Sequence, residues 1–151
     1  MEFVVLSSSR GTTFQAVIDA MCAGTLGARC LGLVTDRADR ACADKARAAG
    51  LPVRVVEKLP DEDRDAYALR VSAAAEELGA VPGETLVAAL GWMWILPSSF
   101  VSRHRVINVH PALLPRHGGK GMYGAHVHES VLAAGDAESG ISIHLMDDGV
   151  D

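Results

Sequence analysis

Asn108 and His110 stand two residues apart in the run Ile107-Asn108-Val109-His110-Pro111. On an extended segment that spacing turns both side chains to the same side. Pro111 and Pro115 stop a helix or an interior strand, so the pair is expected at the end of a buried strand entered through Val106 and Ile107. An amide and an imidazole held side by side suit reactions at a carbonyl. The amide donates to a developing oxyanion and the imidazole moves a proton. Asp147, Asp148 and Asp151 follow a later apolar run. If that run lies beside the strand of His110, one of these carboxylates can orient the imidazole and raise its pKa, and a solvated acidic loop is the plainer reading.

A sheet must hold such a strand end. Apolar, β-rich runs at Met1–Leu6, Cys30–Thr35, Val53–Val56, Thr85–Leu90, Val106–Val109 and Gly140–Met146 are expected as strands. Helical patterns at Thr12–Cys22, Asp39–Ala49, Asp61–Leu78, Ser98–His104 and His126–Ala134 fall between them. The alternation predicts an α/β fold, a doubly wound, mostly parallel sheet with right-handed crossovers, as one domain over residues 1–151. Ligands of such sheets bind beyond the carboxyl ends of the strands. Both the Asn108–His110 pair and the loop Ser7-Ser8-Ser9-Arg10-Gly11-Thr12-Thr13 are expected there.

That loop leads into a helix, whose amino terminus favours an anion such as phosphate. It is neither a G-x-G-x-x-G nor a Walker A sequence, and an ordinary loop with Ser9 or Thr12 as helix cap is an equal reading. His117-Gly118-Gly119-Lys120-Gly121 reads as a mobile loop or lid beside the site. The stretch from Trp92 to Leu96 is either an apolar slot for a flat ring or plain core. His126 and His128 are two apart on a helix and point away from each other, His104 falls at a helix end, and His144 is expected as a satisfied core residue. No metal site is expected.

The net charge of −5, without a basic block, argues against a nucleic-acid surface. No apolar run approaches the roughly 20 residues of a membrane span, and the amino terminus lacks the pattern of a secretory signal. Cys22, Cys30 and Cys42, odd in number and without C-x-x-C spacing, fit packing roles in a reducing cytoplasm.

Together the motifs resemble the folate formyltransferase superfamily, in its phosphoribosylglycinamide formyltransferase branch. The resemblance runs from Met1 to Asp151 through V-V-L-S-S-S-R-G-T-T-F-Q-A, R-D-A-Y, G-W-M-W-I-L, N-V-H-P-A-L-L-P-R, G-G-K-G-M-Y-G and S-G-I-S-I-H-L-M-D-D-G-V-D. It implies a Rossmann-like formyltransferase fold and formyl transfer from 10-formyltetrahydrofolate to the amine of glycinamide ribonucleotide in purine synthesis. It implies Asn108 as oxyanion stabiliser, His110 as proton-transfer residue and Asp151 as the carboxylate that holds it. It matches Gly11, Thr12 and Thr13 to the phosphate loop. Arg64, Met93, Trp94, Ile95, Leu96, Asn108, Asp147, Asp148, Gly149, Val150 and Asp151 match folate-contacting segments. The chain departs from the pattern at Ser9, Thr13 and Trp94, where Gly, Asn and Arg are usual. The implied partners are small molecules, with neither nucleic acid nor membrane, and a homodimer is compatible with them. The family also continues past Asp151 with a strand and a helix, so the chain is expected to be incomplete at its carboxyl end and poorly soluble or unstable alone. Other readings are another folate-dependent formyltransferase, a formyltetrahydrofolate hydrolase, or a non-catalytic folate- or nucleotide-binding module.

Overall fold

The computed structural model describes residues 1–119 and 121–147. Along them run β1 (Glu2–Leu6), α1 (Thr12–Cys22), β2 (Arg29–Thr35), α2 (Ala41–Ala48), β3 (Val53–Val55) and α3 (Arg64–Glu77). Then follow β4 (Leu86–Ala89), α4 (Ser98–Val101), β5 (Arg105–His110), α5 (Ala125–Ala134) and β6 (Ser142–Leu145). The strands form one sheet in the order β3-β2-β1-β4-β5-β6.

β1 is central and covered on both faces, so it is apolar throughout rather than alternating. Phe3 and Val5 join Phe14, Ile18, Leu33 and Cys42 beneath α1 and α2. Val4 and Leu6 join Tyr67, Val71, Phe100 and Val106 beneath α3 and α4. α3 starts later than its periodicity predicts, because Asp63 is its cap and accepts from the amides of Asp65 and Ala66. The helix expected over Ser98–His104 closes at Val101, and the His104 amide bonds back to the Phe100 carbonyl.

The strands from β1 to β5 pair in parallel, whereas β6 runs antiparallel to β5. The segment between them is not a crossover. It leaves the sheet at His110 and returns beside it, since Ser142 pairs with His110. The Ser142 hydroxyl anchors the return, donating to the Ala112 carbonyl at 2.8 Å and accepting from the Leu114 amide at 3.0 Å. The register then carries Asp147 toward the Val106 end of β5, away from His110, because the Met146 amide donates to the Val106 carbonyl. Strands five and six are therefore neighbours, but Asp147 is not brought to the imidazole.

Candidate active site

After β1 the chain winds out to β2 and β3, then returns to the other side of β1 as β4. This reversal opens a crevice at the carboxyl ends of β1 and β4, the usual ligand position in such sheets. The two loops meet closely there. The Ser8 amide donates to the Gly91 carbonyl at 3.0 Å, and a Cβ on Gly91 would lie 2.6 Å from Ser9 Oγ. Gly11 is the N-cap of α1 with φ 70°, and a Cβ there would meet that of Cys42 at 2.8 Å. Neither Ser9 nor Thr12 caps the helix. Ser9 Oγ instead accepts from the Gly11 amide at 3.2 Å, and α1 has no side-chain cap. Its first turn, with Thr12 and Thr13 exposed, thus presents amide donors that the helix itself leaves without partners.

Asn108 and His110 share the face of Val106, which packs in the core beneath α3 and α4. Asn108 is half-buried and its side-chain nitrogen donates to His144 Nε2 at 3.3 Å. His144 Nδ1 lies 3.2 Å from the Leu145 carbonyl, which fits a neutral ring protonated at Nδ1. His144 is thus a half-buried neighbour of the site and not the core residue expected of it. His110 is 2% exposed, and its Nε2 lies 2.9 Å from the His117 carbonyl. A carbonyl only accepts, so His110 Nε2 carries a proton. His117 belongs to the Gly-rich loop, yet its ring is tied down by Ser130 and Asp136, each at 2.8 Å.

Arg64 opens α3 and lines a hollow of about 300 Å³ with Lys58, Glu62, Tyr67, Met93, Trp94 and Ile95. Met93 and Ile95 are half-exposed, whereas Leu96 is buried in the core and lines nothing there. Trp92 stacks on Tyr67 at 6.3 Å, behind the hollow. Within this stretch Met93, Trp94 and Ile95 line the hollow, Leu96 belongs to the core and Trp92 packs against it. Trp94 donates its indole N–H to Asp36 at 3.2 Å, and Asp36 is 3% exposed and gripped by Arg40 through two bonds of 2.9 Å. Lys58 lies 5.8 Å from the Trp94 ring and 5.9 Å from that of Tyr67. Burial pushes the Tyr67 phenol above its usual range, so it stays a donor, to the Val56 carbonyl at 2.9 Å.

Asp148, Gly149, Val150 and Asp151 lie outside the described residues. His126 and His128 are both exposed on α5. Three partners escaped the sequence reading: His144, Asp136 and Asp36. His144 needed the antiparallel register, and the two carboxylates act across separate loops, so no local spacing announces them.

A family model described as formyl transferase matches residues 1–151. The phosphoribosylglycinamide formyltransferase of Escherichia coli K12 is 32% identical, with 100% of this chain and 68% of that protein covered. The chloroplastic phosphoribosylglycinamide formyltransferase of Arabidopsis thaliana is 34% identical over 99% of this chain, which spans only 51% of that protein. Among solved structures, glycinamide ribonucleotide transformylase 1 of Symbiobacterium toebii superposes with a TM-score of 0.87 at 26% identity, covering 100% of this chain and 68% of its own.

Proposed function

The chain belongs to the formyl transferase family, and on that premise we propose that it moves a formyl group from N10 of 10-formyltetrahydrofolate to the amine of glycinamide ribonucleotide. The observation that carries the reading is Asn108 and His110 on one face of β5, at the carboxyl end of a sheet whose crevice holds an uncapped helix start. The amine nitrogen attacks the formyl carbon, and the carbonyl oxygen becomes an oxyanion. Asn108 exchanges its bond to His144 for one to that oxyanion. His110 takes the proton shed by the attacking amine and passes it to N10 as the C–N10 bond breaks. Because Nε2 already donates to the His117 carbonyl, the proton arrives on Nδ1, and Asp151 is in this reading the carboxylate that holds the imidazolium so formed.

The first turn of α1, at Gly11, Thr12 and Thr13, takes the phosphate of the ribonucleotide, since helix amides and dipole both favour an anion. Arg64 and the exposed Met93, Trp94 and Ile95 take the folate. A cation beside apolar side chains suits a donor with a flat ring and a carboxylate tail. Leu96 backs this wall, and folate contact by Asp147, Asp148, Gly149 and Val150 rests on the family resemblance alone. The partners are small molecules in the cytoplasm, with no part for nucleic acid, membrane or metal, and a homodimer is the assembly to test by sedimentation.

The experiment is formyl transfer to glycinamide ribonucleotide, followed by release of tetrahydrofolate. Asn108→Ala and His110→Ala are each expected to lower kcat by about 10²-fold or more. If His110→Ala kept most of the activity, the proton-transfer role would be wrong.

A further inference from the structure

Beyond His110 lies a second imidazole cluster that the transfer chemistry does not use. His117 has a left-handed backbone, φ 57°, a conformation uncommon for a residue with a Cβ. Gly119, two residues on, is left-handed as well, φ 97°, but the first such bend of the loop falls on the histidine. Its side chain is only 9% exposed. Its Nδ1 lies 2.8 Å from Ser130 Oγ on α5, and its Nε2 lies 2.8 Å from a carboxylate oxygen of Asp136, just past the end of α5. Arg116 binds the other carboxylate oxygen, and these contacts hold the Asp136 carboxyl below the usual range. The main-chain carbonyl of His117 accepts the His110 Nε2 proton at 2.9 Å. One residue therefore has its ring fastened to α5 and its carbonyl fastened to His110.

We propose that His117, clamped by Asp136 and Ser130, is a positioning residue for His110. The clamp fixes the bend at 117, and the bend aims the carbonyl that keeps the His110 proton on Nε2 and sets the plane of the ring. A histidine's two nitrogens are made distinct by the bond that one of them makes, and a proton-transfer group loses rate when its orientation is loosened. The proposal rests on the reading of His110 as the proton-transfer group. The clamp itself does not depend on that reading, so the two can fail separately.

The test is nitrogen NMR of the full chain labelled at histidine, combined with steady-state kinetics. The unsubstituted chain should show His110 as the Nε2–H tautomer. His117→Gly leaves the left-handed bend accessible and deletes the ring. Asp136→Ala deletes the clamp without touching the bend, and so decides the matter if His117→Gly does not fold. Each should give a mixture of His110 tautomers and lower kcat about tenfold, with KM for both substrates little changed. Asp136→Asn keeps an acceptor for the ring and should retain most of the tautomer preference. If both deletions left His110 on Nε2 and kcat unaltered, the proposal would be overturned. If the unsubstituted chain showed the tautomer but no formyl transfer, the proposed function would fail and the tautomer shifts would still decide the clamp.

Discussion

His104 is 3% exposed, and its Nε2 lies 2.7 Å from Ser72 Oγ. The single Ser72 proton goes to Glu76 at 3.0 Å, so the imidazole is the donor and its proton is on Nε2. Nδ1 is then a buried acceptor with no partner among the described residues. Burial, aided by the charge of Arg103, holds this imidazole below its ordinary value of 6.5. The unfolded chain thus takes up a proton that the folded chain refuses. The stabilising contribution is whole above that ordinary value and is lost as the pH falls below it toward the folded value. The melting temperature should therefore drop between about pH 7 and about pH 5, and less steeply in His104→Gln. Equal slopes would show that another group governs acid sensitivity. At this scale Asn108 and His110 were legible because a two-residue spacing on a strand has one geometric meaning. His117 was not, because its ring is fixed by Ser130 and Asp136, 13 and 19 residues away.

Among the elements, α3 shows how one side chain sets a boundary. Asp63 accepts from two amides of the first turn, and Asp61 just before it is left-handed at φ 58°. Asp63→Ala should cost about 1 kcal/mol, read as a lower urea midpoint with an unchanged slope. A cost near zero would mean that the packing of Tyr67 and Val71 alone positions the helix. The order and type of all eleven described elements were legible in hydrophobic period and in Gly and Pro punctuation. The direction of β6 was not, for apolar alternation is the same read either way along a strand. That one ambiguity accounts for two differences, the distance of Asp147 from His110 and the position of His144 against Asn108. The division of residues 92–96 between hollow and core was also illegible, since five consecutive large side chains carry no period.

Across the molecule, coverage is uneven. β1 is sealed on both faces, whereas at the β6 edge Ile141, Ile143 and Leu145 are each more than 60% exposed. Beneath the first loop at the crevice lies a thiol. Cys42 is fully buried beneath the Ser7–Gly11 loop, with its sulfur 3.5 Å from the Ser7 carbonyl and its Cβ where only glycine fits at position 11. Cys22 is exposed and Cys30 is buried elsewhere in the same layer. A thiol reagent should modify Cys22 at once and reach Cys42 only when the loop lifts. Glycinamide ribonucleotide, or inorganic phosphate in its place, should slow Cys42 and leave Cys22 unaffected. Equal labelling rates at the two would mean that the loop is open most of the time. Cys42 thus serves as a built-in clock, and its labelling curve reads how often the crevice breathes without any need for turnover.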